Sequence, residues 1–205
     1  MEEQDPKERI AELEGRIRQL EKRLSIDPDT GLLNKFACLA WLQSRIDGAR
    51  FPRRDAIRAI TCVFVDLNNM GAMNASIGHF AVDNLLVQFA RFLESQVHDE
   101  DVVGRIHGDE FVMMFPRTNE KDARVVIERI DDALRSATSV VKSDRTGEEV
   151  SVQLRAKYGA VTWHRRSVTT ADEVFRAMSN AQAEAKQLRA LNPDAAAIVI
   201  KRFKA

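Results

Sequence analysis

The sequence predicts an α/β sandwich, in which helices cover a mixed β-sheet. Residues 59–67, AITCVFVDL, are almost entirely apolar and rich in β-branched side chains, as is typical of a buried central strand. Segments with helical periodicity alternate with further β-rich runs along the rest of the chain. The 205 residues are 44% hydrophobic and 30% charged, which is the composition of a globular domain with a substantial core.

Residues 1–26 predict a coiled-coil helix that is separate from this sandwich. Apolar residues recur there at alternating spacings of three and four, the a/d pattern of a coiled coil, at Ile10, Leu13, Ile17, Leu20 and Leu24. Arginines fall at the g positions and glutamates at the e positions, where a parallel homodimer pairs them. An amphipathic helix lying on its own domain is the alternative, because a helix of two heptads is only marginally stable alone.

A turn at residues 27–34, DPDTGLLN, ends this helix and begins the second predicted domain, residues 27–205. A helix with apolar Phe36, Leu39, Ala40 and Leu42 comes next, and the central strand follows it and ends at Asp66. Residues 79–97 have the periodicity of an amphipathic helix. Two short strands, DVVGRI and FVMMF, then form a hairpin.

The C-terminal half continues the alternation of helices and strands. Residues 119–137 predict a helix that begins with an asparagine cap at Asn119. Residues 150–163 predict a strand, and SDRTGEE before them predicts a hairpin tip. Residues 170–191 predict a helix, and AAAIVIKRF a last strand, so the predicted order is α-β-α-β-β-α-β-α-β.

Charge and cysteine content restrict the possible functions. Basic and acidic residues number 31 each, which argues against a nucleic-acid partner bound through a broad basic face. No apolar run approaches the roughly 18 residues of a membrane span, and the acidic N-terminus is unlike a signal peptide, so we expect a cytoplasmic protein with no membrane partner. Cys38 and Cys62 lie in apolar stretches and are expected to be buried free thiols, with a disulfide as the alternative.

Three carboxylates mark the candidate functional site. Asp66 ends the central strand, and Asp109 and Glu110 stand together at the hairpin tip in RIHGDEF. If the two strands are neighbours, the acids converge on one edge of the sheet, and such hard oxygen ligands suit Mg²⁺ held together with substrate phosphates. The alternative is structural, with Asp109 and Glu110 as polar hairpin residues and Asp66 as the end of a strand.

Several spaced motifs resemble those of the GGDEF domains, the diguanylate cyclases, which join two GTP molecules into cyclic di-GMP. RIHGDEF resembles the family signature, and four segments fall in the family's order: DPDTGLLNK, VDLNNMGAMNASIGHFAVDNLL, VVGRIHGDEF and TADEVFRAMSNAQAEAKQL. The resemblance covers roughly residues 27–200. It implies a cyclase-like palm fold with a five-stranded mixed sheet and flanking helices.

The resemblance also implies a metal centre and catalytic acids. Asp66, Asp109 and the carbonyl oxygen of Leu67 would hold Mg²⁺ or Mn²⁺. Asp109 and Glu110 would be the catalytic residues, with Glu110 as a second acid near the metals or the attacking 3′-hydroxyl.

The same resemblance implies how GTP would be held. Asn74 and Asp83 would hydrogen-bond the guanine edge, and Asp83 would accept from the N1 and amino hydrogens, a pattern that disfavours adenine. Lys186 would meet the triphosphate, and Gly108 would lie against the substrate.

The chain departs from the family pattern at positions that bear on activity. His107 stands in place of the first glycine of the signature, where an imidazole obstructs the nucleotide or, alternatively, stacks on the base or donates to a phosphate. Gly71 replaces a phosphate-binding lysine, a loss of about 1.5–3 kcal/mol in binding. His98 stands where an Arg-x-x-Asp product site would begin, so we expect no inhibitory site.

Two functions of different classes follow from these observations. The first is a diguanylate cyclase of low activity, in which two protomers each hold one GTP and release pyrophosphate as cyclic di-GMP forms. The second is a catalytically degenerate domain that serves as a guanine-nucleotide-binding or dimeric interaction module in signalling. A nucleic-acid polymerase palm shares the acids, but the sequence shows no basic groove for it.

Overall fold

The computed structural model describes residues 25–49, 57–192 and 196–204. The predicted coiled-coil positions, Ile10, Leu13, Ile17, Leu20 and Leu24, lie outside these residues. The N-terminal helix and the homodimer that it would form therefore remain predictions, as does the domain boundary after residue 26.

Helices and strands alternate along the described residues. The helices are α1 (Lys35–Ala49), α2 (Met70–Ile77), α3 (His79–Ser95), α4 (Glu120–Ser136) and α5 (Ala171–Leu191). The strands are β1 (Leu33–Asn34), β2 (Ala59–Leu67), β3 (Val102–His107), β4 (Glu110–Pro116), β5 (Ser139–Lys142), β6 (Glu149–Val152), β7 (Ala156–His164) and β8 (Ala197–Arg202). Six strands form one mixed sheet in the order β1-β3-β4-β2-β7-β8, while β5 and β6 form a separate hairpin. The predicted α/β fold with a mixed sheet is confirmed.

The central strand β2 is buried along its whole length, as predicted. It pairs antiparallel with β4 on one side and with β7 on the other. One face of the sheet packs against α3 and α4 through buried residues such as Leu85, Phe89 and Ile127. The opposite face packs against α1 and α5 through buried residues such as Leu42, Val174 and Met178. Helices on both faces explain why β2 is a continuous apolar run rather than an alternating one.

The strand content differs from the prediction in two places. The main sheet has six strands rather than five, because the two residues of β1 pair in parallel with β3, and two residues are too few to show a periodicity. The single strand predicted over residues 150–163 is wrong. Its start belongs to β6, which pairs with β5 around the predicted SDRTGEE tip, whereas the main-sheet strand β7 begins only at Ala156.

The helix α3 receives its N-terminal cap from a distant segment. Asp144, in the turn between β5 and β6, accepts hydrogen bonds at Oδ2 from the backbone N–H groups of Phe80 (2.8 Å) and Ala81 (3.4 Å). Gly78 precedes the helix at φ 99°, and a Cβ there would overlap the Asp144 side chain. By contrast, α4 is capped locally by Asn119, as predicted, and α5 by a capping box of Thr170 and Glu173.

The two cysteines are buried and free, which confirms the prediction made from their apolar surroundings. Burial raises the pKa of the Cys38 thiol to about 12, so this group stays protonated and unreactive near neutral pH. None of the helices described here is long and apolar enough to cross a membrane.

The closest packing of a helix on the sheet occurs where α5 crosses β7 at Gly159. A Cβ added to Gly159 would lie 2.7 Å from the backbone carbonyl carbon of Ala181 and closer still to the backbone nitrogen of Gln182. Since the obstructing atoms are backbone, the helix itself would have to move away. Gly159 therefore sets how near α5, and with it Gln182, lies to the sheet.

We expect Gly159→Ala to lower the free energy of unfolding by about 1–3 kcal/mol, as overpacking of a core does. The measurement is urea unfolding followed by circular dichroism. Gly48→Ala is the matched control, because nothing lies within 4 Å of a Cβ added at Gly48 in the exposed surface of α1. Equal stability of the Gly159→Ala variant and the parent would contradict the close approach.

Candidate functional site

The strand pairing brings the three predicted acids to one edge of the sheet. Asp66 near the end of β2 lies directly opposite Glu110 at the start of β4 in the antiparallel register. The backbone N–H of Leu67 donates to the carbonyl oxygen of Asp109 at 3.2 Å, which holds the hairpin tip against the end of β2. Asp66 is 8% exposed, while Asp109 and Glu110 are half-buried.

Glu110 is engaged by the histidine that departs from the family signature. His107 Nε2 lies 3.1 Å from Glu110 Oε2, and the His107 side chain is 70% exposed. Burial raises the pKa of Glu110, the carboxylates of Asp66 and Asp109 add to this, and His107 and Lys186 oppose it. The pair lies beside a cleft of about 600 Å³ between α1 and α5. The imidazole therefore covers one of the two predicted catalytic acids.

Arg105 fixes the hairpin tip, and sequence reasoning missed it. Its Nε donates to the carbonyl oxygen of Gly108 at 3.0 Å, and its Nη1 contacts Asp27 (3.1 Å) and Asp29 (2.9 Å) of the DPDTG turn. Arg105 is 7% exposed, so this charge is paired inside the protein. The signal in the sequence was an arginine within the otherwise apolar strand VVGRI. Gly108, a predicted substrate contact, has φ 52° at the tip that Arg105 holds.

Asp66 is fully engaged by two residues that sequence reasoning also missed. Lys157 of β7 is its cross-strand partner, and the Lys157 Nζ forms an ion pair with Asp66 Oδ1. Gln182 of α5 donates from Nε2 to Asp66 Oδ2 at 2.7 Å. The side chains of Asp66 and Lys157 are only 12% and 10% exposed. A lysine within the apolar stretch AKYGAVTW was the available signal, but its partner depends on the strand register.

These contacts bear on whether the acids fit the divalent metal that the resemblance implies. Both Asp66 oxygens already have protein partners, one of them a cation. Over residues 25–49, 57–192 and 196–204, no group of three or more His, Cys, Asp or Glu side chains is arranged to hold a metal ion. A Mg²⁺ site needs carboxylate oxygens that are free to face the ion. The arrangement therefore does not fit a metal at Asp66 and Leu67, although the residue types are suitable.

The two predicted guanine contacts lie on the helices that follow β2. Asn74 is on α2, and its Oδ1 is buried without a hydrogen-bond partner among the described residues. Asp83 is exposed on α3. A buried acceptor without a donor is uncommon in proteins, so the Asn74 amide is a candidate contact for a donor from outside the described residues. Arg145 from the β5–β6 turn donates to the Asn74 carbonyl oxygen at 3.4 Å, which places that hairpin next to α2.

Lys186, the predicted triphosphate contact, lies on α5 one turn after Gln182. Its ammonium is exposed and lies near enough to Glu110 to favour the charged carboxylate. The structure thus brings Lys186 to the same edge as the acids. Gly71, where the family has a phosphate-binding lysine, is exposed on α2.

Comparisons with known proteins identify the family. A family model described as "Diguanylate cyclase, GGDEF domain" matches residues 24–190. The probable diguanylate cyclase DgcE of Escherichia coli is 32% identical over 126 residues, which are 61% of this chain and 11% of that protein. The diguanylate cyclase DgcP of Pseudomonas aeruginosa is 30% identical over 154 residues, which are 75% of this chain and 21% of that protein. The chain belongs to the GGDEF domain family.

Solved structures share the fold. The coiled coil and GGDEF domain of DgcB from Caulobacter crescentus, in complex with c-di-GMP, aligns with a TM-score of 0.75 over 96% of this chain and 95% of that one, at 17% identity. The diguanylate cyclase SiaD from Pseudomonas aeruginosa, in complex with its activator SiaC, aligns with a TM-score of 0.69 over 97% of this chain and 71% of that one, at 24% identity. These likenesses show the fold, and the chain spans less than a quarter of the length of DgcE and of DgcP.

We expect Arg105→Met to lower the free energy of unfolding by about 1–3 kcal/mol, because it leaves Asp27 and the Gly108 carbonyl without their charged donor. Urea unfolding at neutral pH measures the loss. Arg117→Met is the matched control, since Arg117 forms an exposed ion pair with Glu100, and such pairs contribute little.

The loss at Arg105 should also depend on pH. Burial raises the pKa of Asp27, but hydrogen bonds from Thr30 and Arg105 outweigh it and hold this pKa below 3.8. A lowered carboxyl pKa stabilises the fold above pH 3.8, and the contribution disappears as the pH falls further. The difference between parent and variant should therefore narrow below pH 3.8. A loss independent of pH would contradict the role of the ion pair.

Proposed function

We propose that this domain binds GTP at the carboxylate edge of the sheet and acts in cyclic di-GMP signalling as a diguanylate cyclase of low turnover. The antiparallel register that sets Asp66 opposite Glu110, with Asp109 beside them, is the observation that supports this function. Folding does not require the acids of the hairpin tip to lie beside a third acid. Catalysis on a nucleoside triphosphate does require several acids in one place.

The proposed guanine contacts follow from hydrogen-bond chemistry. The buried Asn74 Oδ1 lacks a donor, and the Asp83 carboxylate only accepts, so both favour the N1 and amino hydrogens of guanine. Adenine presents an acceptor at its ring N1 and is disfavoured. Lys186 would meet the triphosphate, and Gly108 leaves room for the substrate at the hairpin tip.

The reaction requires two nucleotides and hence two protomers. The 3′-hydroxyl oxygen of each GTP attacks the α-phosphorus of the other and forms a new P–O bond. The bond between that phosphorus and the α,β-bridging oxygen breaks, and pyrophosphate leaves. Glu110 would accept the hydroxyl proton, and burial raises its pKa toward the range where a carboxylate is an effective base. Asp109, next to Glu110, would be the other catalytic acid. A homodimer, with the N-terminal helix as its contact, would bring the two sites together.

Low turnover is expected because two of the site's three carboxylates already have partners. His107 lies on Glu110, and Lys157 and Gln182 hold Asp66. Gly71 supplies no charge for the phosphates. The contacts at Glu110 and Asp66 work against the reactive arrangement, and the missing charge at Gly71 weakens binding of the phosphates.

We expect purified protein with GTP and Mg²⁺ or Mn²⁺ to form cyclic di-GMP slowly, detected by mass spectrometry, and Asp109→Ala to form none. Light scattering on the same sample tests whether the protein is dimeric. Absence of product over a long incubation of dimeric protein would reject the cyclase function.

The second candidate is a guanine-nucleotide-binding or dimeric interaction module without turnover. The engagement of both Asp66 oxygens by Lys157 and Gln182 favours this candidate. It shares GTP binding and dimerisation with the first candidate, so the product assay separates the two.

We expect Asn74→Ala to weaken GTP binding about tenfold, since one hydrogen bond in a buried site contributes roughly that much. Calorimetric titration with GTP and with ATP measures affinity and base preference together. Asn84→Ala on the exposed surface of α3 is the control and should bind as the parent does. A variant that loses affinity for both nucleotides equally would show that Asn74 does not read the base.

A further inference from the structure

Lys157 occupies a place in the site that neither the signature motifs nor the family comparison assigns. It lies on β7, adjacent to the central strand, and its cross-strand partner is Asp66. Its ammonium contacts Asp66 Oδ1, while Gln182 takes Oδ2. Asp66 is the residue on which the family resemblance places the metal. The position nearest to this carboxylate is therefore already held by a cation that is part of the chain.

The scaffold keeps this cation in place. Both side chains are about nine-tenths buried, between the central strands and α5. Gly159, two residues after Lys157, lets the α5 backbone lie directly on β7, and this close approach carries Gln182 to Asp66. A buried carboxylate is stable only with a partner, and a buried ammonium has the same requirement, so each residue holds the other.

A divalent ion at Asp66 would have to displace the ammonium or lie against it. Like charges a few ångströms apart repel strongly in a buried environment. Lys186, on the same face of α5 as Gln182, adds a second positive charge near Glu110. Glu110 is already in contact with His107, and Asp109 lies beside it. Two ammonium groups of the protein, those of Lys157 and Lys186, thus already lie beside the acids at this edge.

We propose that Lys157 is the resident cation of this site and keeps divalent metal ions off Asp66. The chain thus neutralises Asp66 without a metal. This inference rests on the proposed function only in that both concern the same site.

The decisive measurement is a Mn²⁺ titration of the full chain without nucleotide, with free Mn²⁺ followed by electron paramagnetic resonance. Lys157→Ala removes the ammonium and leaves room for an ion and its water. We expect this variant to bind one Mn²⁺ at least about tenfold more tightly than the parent. Adding Asp66→Asn to Lys157→Ala should abolish the gain. Mn²⁺ should also raise the melting temperature of Lys157→Ala and leave that of the parent unchanged.

Two further variants guard against a structural explanation. Lys157→Gln keeps most of the side-chain length and a donor for Asp66 without the charge, and it takes the place of Lys157→Ala if that variant does not fold. Lys201→Ala removes another lysine–carboxylate pair, the exposed contact with Glu184, and should leave Mn²⁺ binding unchanged.

Specific outcomes would overturn the inference. One is a folded Lys157 variant with the Mn²⁺ affinity of the parent. The other is a parent protein that binds Mn²⁺ through Asp66, shown by weaker binding in the single variant Asp66→Asn. Failure of the parent to bind GTP would reject the proposed function and leave the Mn²⁺ result standing, so the two failures are distinguishable.

Discussion

The position of β2 between β4 and β7 is the constraint on which the rest of the site depends. A residue in a central strand has a cross-strand neighbour on each side, and Asp66 therefore lies opposite Glu110 and Lys157 at the same time. All three side chains belong to the face covered by α1 and α5, because opposing residues in an antiparallel pair point to the same face. The strand pairing alone thus places two acidic side chains and one basic side chain together.

This arrangement explains how the fold of a GGDEF domain can be independent of the contacts that its acids make. Asp66 pairs with Lys157 and Gln182, and Glu110 contacts His107. Neither set of contacts involves the apolar residues of the strands that carry these side chains. The fold is set by the apolar residues of the sheet and helices, whereas the site is set by a few side chains at its edge.

Local sequence signals predicted the elements that depend on local physics. The apolar run of β2, the Asn119 cap of α4 and the SDRTGEE tip were all visible, since each is determined by residues close in the chain. The two-residue strand β1, the division of residues 150–163 and the pairing of Lys157 with Asp66 were not. Each of these depends on strand register between distant segments, which a periodicity cannot supply. The family resemblance located the acids, but its motifs do not include Lys157.

The cap that Asp144 provides to α3 links two regions that are far apart in the sequence. The acceptor lies 64 residues beyond the amide of Phe80 that it binds. When the cap of a helix comes from another segment, the first N–H groups of the helix have their acceptor only after that segment has packed against it. The first turn of α3, close to Asp83, and the β5–β6 hairpin should thus open and close as one cooperative unit. Mobility at the hairpin would then reach the helix that carries Asp83, a proposed guanine contact, although no role in binding is proposed for any hairpin residue.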